Sequence, residues 1–133
     1  MKKNEKKTIL IIGYTHPKHD KRVIRTVESL CKYYNVFYQY AVAPGEKDSG
    51  QEDILGGNVK FLPLIFDQAQ ENTVLKKLTS RRPFDKQILL IIKSRKWDVI
   101  YFHHFCQTFP VAAFKLARKN SDKIIYDVHE NHP

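Results

Sequence analysis

The stretch Thr8-Ile-Leu-Ile-Ile-Gly13 decides the fold of this chain. It is a continuous apolar run, which is typical of a strand covered on both faces, as in the parallel sheets of α/β proteins. The stretch therefore predicts a central first strand with helices packed on either side of the sheet.

The rest of the chain supplies the other elements of such a sheet. Its β-branched and aromatic runs predict further strands over residues 36–42, 59–64, 97–102 and 124–128. Helices are predicted from a cap at Asp20 through Tyr34, over 72–78, from Pro83 onward, and over 109–119. Residues 14–19 and 43–57 are predicted loops. Because strands alternate with helices, we expect a doubly wound, Rossmann-like parallel α/β sheet of order 3-2-1-4-5 with helices on both faces.

Size and composition indicate one globular domain. The chain has 133 residues, of which 42% are hydrophobic and 28% charged, which is ordinary for a domain with a buried core. No apolar run approaches the ~18 residues of a membrane span, and no signal peptide is recognisable. Two distant cysteines predict neither a disulfide framework nor a zinc knuckle. We expect a cytoplasmic protein with a disordered basic tail at residues 1–7.

The positive charge is concentrated in two places. Of the net charge of +9, the tail carries +3 and residues 74–96 carry +7, which leaves −1 for the rest. The basic segment is interpreted either as a solvated helix face or as a surface that adsorbs to an anionic membrane. Its membrane-facing candidates are Lys76, Lys77, Arg81 and Arg82. Nucleic acid is not an expected partner, because two aromatic residues are too few for a base-stacking platform.

Histidines and carboxylates follow strands one, four and five, whose carboxyl ends share one edge in the predicted order. Ligands bind at this edge in open α/β sheets. The residues are His16, His19, Asp20, His103, His104, Asp127, His129, Glu130 and His132. One interpretation is that these are solvated loop residues. Another is a general acid or base among Asp127, His129 and Glu130, and the alternative for Asp127 is that it only binds backbone or caps the next element.

A metal or nucleotide cofactor is not expected. The histidines lack the helical His-x-x-x-His spacing, and His103 and His104 should point to opposite faces of their strand. Gly13-Tyr14-Thr15-His16-Pro17-Lys18 departs from the Gly-x-Gly-x-x-Gly pattern of nicotinamide and flavin sites, and no Walker loop is present. Gly13, Lys18 and the helix start near Asp20 still suit a phosphate or a sugar.

Three stretches together resemble a known family. They are His19-Asp20-Lys21-Arg22-Val23, then Trp97 to His103 with the following helix, and Ile125-Tyr126-Asp127-Val128-His129-Glu130. Together with the first strand, they resemble the amino-terminal domain of GT-B-fold glycosyltransferases of the retaining group 1 (family 4) type. The resemblance covers nearly the whole chain. The last stretch is the most specific.

The resemblance implies transfer of a sugar from a nucleotide-sugar to a saccharide or lipid-linked acceptor, without a required metal or cofactor, in cell-surface polysaccharide synthesis. A second domain would hold the donor, so we expect this chain to be a fragment with little activity alone. The resemblance makes His129 and Glu130 the catalytic candidates. It assigns substrate binding to Gly13, Tyr14, His16, Lys18, His19, Asp20, Arg22, His103, His104 and Asp127. The glycine pair often seen after strand one is reduced to Gly13.

Two other classes of function compete with this hypothesis. One is a non-catalytic α/β module that binds a ligand or a protein. The other is a metal-dependent hydrolase built on the histidine-rich edge. Of the three classes, only the transferase predicts a gene that also encodes a second domain. Only the hydrolase predicts stoichiometric metal in the purified protein.

Overall fold

A computed structural model of the protein describes residues 6–47, 59–66, 74–103 and 111–127, with only the backbone for 74–82 and 111–112. These residues form a parallel sheet of order β3-β2-β1-β4-β5, with a helix after β1, after β3 and after β4. The elements are β1 (Lys7–Pro17), α1 (Lys21–Leu30), β2 (Tyr34–Val42), β3 (Val59–Ile65), α2 (Val74–Lys93), β4 (Trp97–Phe102), α3 (Val111–Asn120) and β5 (Ser121–Tyr126). The predicted Rossmann-like order is confirmed.

The central strand β1 is buried on both faces, as its apolar run predicted. Ile9 and Ile11 pack in the layer that contains α1, whereas Leu10 and Ile12 pack in the layer that contains α2 and α3. All four side chains are at most 1% exposed. Burying an aliphatic side chain of this size stabilises a fold by roughly 1.5–3 kcal/mol. Each layer therefore depends on β1.

Helix α1 begins where the sequence predicts and ends earlier. The Asp20 carboxylate accepts hydrogen bonds from the backbone N–H groups of Arg22 and Val23, at 3.1 and 3.2 Å, and so caps the helix. The helix ends at Leu30, so its predicted extension to Tyr34 is wrong. Tyr34 instead opens β2, because its backbone pairs with Lys7 of β1 in the parallel ladder.

Strand β1 continues through Pro17, so the loop predicted from residue 14 is wrong over 14–17. Tyr14 has a left-handed backbone with φ of 57°, and the register with β2 shifts between Ile12 and Pro17. Such a conformation costs a non-glycine residue about 1–3 kcal/mol. The buried Gln39 amide offsets this cost: its Oε1 accepts from Tyr14 N at 2.7 Å and its Nε2 donates to Tyr14 O at 2.9 Å.

Helix α2 is one continuous helix, and the predicted division into two helices near Pro83 is wrong. Pro83 lies inside it, where proline removes one backbone hydrogen bond at a cost of about 3 kcal/mol. Phe84, Ile88 and Ile92 on the same helix are each at most 2% exposed. Their burial, at roughly 1.5–3 kcal/mol each, exceeds that cost and explains the continuity.

The last two elements follow one another without a loop. Helix α3 runs from Val111 to Asn120 and β5 starts at Ser121, three residues before its predicted start. Ser121 Oγ donates to Ala117 O at 2.6 Å, and Asn120 Nδ2 donates to Ile92 O at 3.1 Å. These bonds satisfy carbonyls at two helix ends and fix the tight turn into β5.

Strand β3 is an edge strand and ends at Ile65, one residue beyond its prediction. An edge position tolerates Pro63, which cannot donate to a ladder. Among the helices of the described ranges, none is long and apolar enough to cross a membrane. Most of the predicted 43–57 loop, the predicted end of strand five at Val128 and the basic tail up to residue 5 lie outside the described residues.

The first prediction concerns Gly13. A Cβ at this position would lie 2.8 Å from the backbone oxygen of Gln39 and 3.4 Å from the Tyr38 ring. Gly13→Ala should therefore lower the free energy of unfolding by about 1–3 kcal/mol, because β1 and β2 would have to separate. Urea denaturation measures this change. At an unhindered site the same substitution stabilises by about 0.4–1 kcal/mol, so unchanged or raised stability would contradict the close approach.

Candidate functional site at the carboxyl edge of the sheet

A polar cluster lies at the carboxyl ends of β4 and β5, beside α1. Its members are Thr26, Tyr101, His103 and Asp127, and we call it the edge cluster. Backbone bonds place two of them: His103 N donates to Ile12 O and Asp127 N donates to Phe102 O, both at 2.9 Å. The sheet therefore carries His103 and Asp127 to the edge at which ligands bind in this fold.

The four side chains contact one another. Tyr101 Oη donates to Asp127 Oδ2 at 3.1 Å, and His103 Nε2 lies 2.9 Å from Thr26 Oγ1 and 3.6 Å from Asp127 Oδ2. The rings of Tyr101 and His103 stack with their centroids 5.3 Å apart. The His103 side chain is 1% exposed and that of Asp127 is 33% exposed. A ligand at this edge therefore meets the Asp127 carboxylate before the buried imidazole.

The hydrogen bonds of His103 define what the cluster can do chemically. Thr26 Oγ1 lies 3.2 Å from Arg22 O and 2.9 Å from His103 Nε2, within hydrogen-bond distance of both. In a hydroxyl–histidine–carboxylate triad the hydroxyl and the carboxylate occupy opposite ring nitrogens, whereas here both face Nε2. Thr26 is therefore not an activated nucleophile, and His103 ties α1 to β4.

Tyr101 stays protonated over a wide pH range. Burial, followed by the charge of Asp127 and the hydrogen bond to it, raises the pKa of Tyr101, and a hydrogen bond with Thr26 partly offsets the rise. Since the phenol keeps its hydrogen, it holds the Asp127 carboxylate in one orientation. The edge cluster thus presents the Asp127 carboxylate in one orientation, with the Tyr101 hydroxyl and the buried His103 imidazole beside it.

The end of β1 forms a second polar group beside α1. His16 Nδ1 donates to Gly13 O at 2.8 Å. The Lys18 ammonium lies 4.6 Å from the ring centroid of Phe61 and 5.2 Å from that of Tyr40, so cation–π attraction directs it toward β2 and β3. Asp20 caps α1, while His19 and Arg22 are exposed.

Tyr38 supports this second group from β2. Its hydroxyl donates to Lys18 O at 2.7 Å. Burial, and less strongly the Asp20 carboxylate, raise the pKa of Tyr38 above its usual range. Because the phenol remains a donor, the turn that carries Lys18 and His19 is anchored to the sheet.

Two predicted substrate-binding residues are built into the fold. The Tyr14 side chain is 0% exposed; its hydroxyl donates to Asp85 Oδ1 at 2.7 Å, and its ring packs edge-on against Phe84. Gly13 is needed for the close approach of β1 to β2. The described contacts thus give Gly13 and Tyr14 a structural role. Both residues help to position the polar side chains of residues 16–20.

Several predicted site residues cannot be placed. His104, His129, Glu130 and His132 lie outside the described residues. The backbone of α2 includes Lys76, Lys77, Arg81 and Arg82, whose side chains also lie outside them. Within the described ranges, no group of three or more His, Cys, Asp or Glu side chains is arranged to hold a metal ion.

Sequence reasoning missed Thr26, Tyr101 and Gln39. Tyr101 precedes His103 by two residues, so strand alternation places both on one face of β4 and could have revealed the pair. Gln39 is an amide inside an apolar strand, which is also a recognisable signal. Thr26 carries no such signal, because its contact with His103 spans 77 residues.

The comparisons with known proteins concern the fold. No family model matches the chain, and no curated protein matches it. Among solved structures, it is similar to the C-terminal domain (residues 78–226) of a hydrogenase from Pyrococcus furiosus, with 16% identity and a TM-score of 0.50 over 93% of each chain. This similarity supports the Rossmann-like α/β fold alone.

The second prediction tests the contact between Asp127 and Tyr101. Asp127→Asn removes the carboxylate charge and should lower the pKa of Tyr101 toward its ordinary value, while burial keeps it raised. A raised phenol pKa stabilises the fold below pH ~10, and this stabilisation is lost as pH rises through the folded-state pKa. In the variant the loss should begin at the same pH, which the unfolded state sets, but it should be smaller and complete at a lower pH.

Carbon-13 NMR of the tyrosine rings in an alkaline titration measures this change. The matched control is Asp122→Asn, an exposed position on β5, the strand that precedes Asp127, which should leave the Tyr101 titration unchanged. An identical Tyr101 curve in wild type and Asp127→Asn would contradict the contact.

Proposed function

We propose that the chain is the acceptor-side domain of a retaining GT-B glycosyltransferase, which moves a sugar from a nucleotide-sugar to a saccharide or lipid-linked acceptor. The observation that carries the proposal is the position of Asp127. This residue lies in the stretch most similar to the family, Ile125 to Glu130, and its backbone bond to Phe102 brings it to the carboxyl edge.

The chemistry of the edge suits a hydroxylated ligand. A carboxylate accepts hydrogen bonds from sugar hydroxyls in two directions, and the Tyr101 hydroxyl fixes the Asp127 carboxylate in place. The exposed His19 and Arg22 at the start of α1 add donors on the neighbouring side of the edge. Preorganised groups of this kind bind a ligand without the cost of ordering side chains.

The transfer reaction itself needs more than these groups. A departing diphosphate and a developing oxocarbenium ion are stabilised by preorganised polar groups in a closed, dry cleft. In the proposed enzyme a second domain closes that cleft and holds the donor. The family resemblance assigns His129 a hydrogen bond to the donor sugar, with Glu130 beside it. We therefore expect acceptor binding, but little transfer, from this domain alone.

A non-catalytic binding module is the second candidate. It is favoured by the arrangement at His103, where the hydroxyl and the carboxylate share one ring nitrogen and activate no nucleophile. In that case the edge cluster would bind a ligand and transfer nothing, even in the complete gene product.

The third prediction tests sugar transfer. In the complete gene product, assayed with a panel of nucleotide-sugars, His129→Ala should reduce turnover at least tenfold, because a contact to the reacting sugar is lost.

A second assay uses amide NMR to monitor saccharide binding to the 133-residue chain. Addition of a saccharide should shift signals of the edge cluster, and Asp127→Asn should abolish these shifts. Asp122→Asn is the control for both assays.

The outcomes separate the candidates. Equal turnover by wild type and His129→Ala would refute the main catalytic assignment. Saccharide binding without turnover of any nucleotide-sugar by the complete gene product would favour the binding module. No saccharide binding at the edge cluster would reject the acceptor-side proposal.

The fourth prediction concerns location. The proposed enzyme acts at the inner face of the membrane, to which the basic first half of α2 adsorbs; clustered Lys and Arg contribute about 1 kcal/mol each at an anionic surface. Reversing Lys76, Lys77, Arg81 and Arg82 to Glu should abolish flotation with anionic liposomes. Reversal of four exposed basic residues elsewhere, Lys21, Arg25, Lys32 and Lys47, is the control. Unchanged flotation of the α2 variant would reject this location.

A further inference from the structure

An apolar groove runs between α2 and α3 on their outer side. Its volume is about 630 Å³, which is within the range of ligand sites. Its lining consists of three leucines, which we call its floor, and four lysines, which we call its rim: Leu89, Leu90, Leu116, Lys86, Lys93, Lys115 and Lys119. We call this feature the lysine-rimmed groove. Leu90 is 64% exposed, so the floor presents apolar surface to solvent.

The rim carries charge of one sign on both sides. Lys86 and Lys93 lie two turns apart on α2, about 10 Å along its axis, and Lys115 and Lys119 lie one turn apart on α3. No acidic residue lines the groove among the described residues. Within the same ranges, none of the four ammonium groups forms an ion pair. The groove therefore matches an apolar body with an anionic group.

The groove is separate from the edge cluster. Both helices run opposite to the strands, and the groove is lined by residues 86–93 of α2 and 115–119 of α3, which lead toward β4 and β5. Trp97 Nε1 and Asn120 Nδ2 both donate to Ile92 O, which fixes these helix ends near the amino ends of the strands. An occupant of the groove is therefore distinct from a ligand at the carboxyl edge.

We propose that the lysine-rimmed groove binds a long-chain anionic amphiphile of the fatty-acid class, with its chain on the leucine floor and its carboxylate among the lysines. A second copy of this chain is disfavoured, because a two-fold contact would oppose lysines to lysines. Among the residues that the structure describes, no aromatic side chain lines the groove on which nucleic-acid bases would stack.

The test uses laurate as the probe, below its micelle-forming concentration, with amide and methyl NMR of the 133-residue chain. Laurate should shift the signals of Leu89, Leu90 and Leu116. Dodecyl maltoside, which has the same chain and an uncharged head, and acetate, which has the charge without the chain, should each bind at least tenfold more weakly. The inference is independent of sugar transfer, since the readout is the signals of Leu89, Leu90 and Leu116 in the groove and not those of the edge cluster.

Variants test the charged rim. Lys86→Glu with Lys115→Glu should weaken laurate binding at least tenfold, whereas Lys32→Glu with Lys123→Glu, also exposed but outside the groove, should leave it unchanged. Thermal unfolding of both variants checks that they fold. Leu90→Gln, a change at an exposed position, should also weaken binding if the chain lies on the floor.

Several results would overturn the proposal. Equal affinity for laurate and dodecyl maltoside would reveal a non-specific apolar surface. Binding that appears only above the micelle concentration, or only to anionic vesicles, would indicate a bilayer contact instead. Equal laurate affinity in the rim variant and its control would place the ligand elsewhere.

Discussion

Strand β1 is the element on which the rest of this structure depends. Its side chains from Ile9 to Ile12 are at most 1% exposed, and its backbone pairs with β2 on one side and β4 on the other. Such a strand is stable only when both neighbours and both helical layers are in place. The same pairing brings the carboxyl ends of β1, β4 and β5 to one edge, so core formation and site formation depend on the same contacts.

The transition from core to site occurs at Tyr14. Its left-handed backbone is held by the buried Gln39 amide from β2, and its hydroxyl bonds to Asp85 of α2. Two elements, β2 and α2, therefore fix the point at which β1 leaves the core. Beyond it the chain presents His16, Lys18 and His19 before Asp20 starts α1. A strained residue braced in this way is often found beside functional sites, which agrees with the placement of the candidate site here.

The protein separates two kinds of surface. The carboxyl edge has a carboxylate held by a phenol, with the buried His103 beneath it, and suits a hydroxylated ligand. The lysine-rimmed groove lies on the outer face of α2 and α3 and suits an apolar anion. Parallel topology explains the separation, because each helix returns the chain from the carboxyl edge to the amino edge. Occupation of one surface therefore leaves the other accessible.

The sequence by itself determined the strand order, the central position of β1, the Asp20 cap and the edge at which His103 and Asp127 lie. These features follow from local signals, such as hydrophobic runs and capping chemistry, combined with the handedness of βαβ connections. Residue identity also placed Asp127 in the stretch that resembles a glycosyltransferase domain. Such signals extend over a few residues and need no knowledge of distant partners.

Only the tertiary structure decided how far β1 and α2 extend and how the edge side chains pair. The β1 extension depends on Gln39, which is 25 residues from Tyr14, and the continuity of α2 depends on burial of Phe84, Ile88 and Ile92 against the sheet. The Thr26–His103 contact joins residues 77 apart. In β1 these distant contacts outweigh a local preference for a loop, and in α2 they outweigh a local preference for a helix break at proline. Local sequence does not encode those contacts, because the sheet must form before the partners meet.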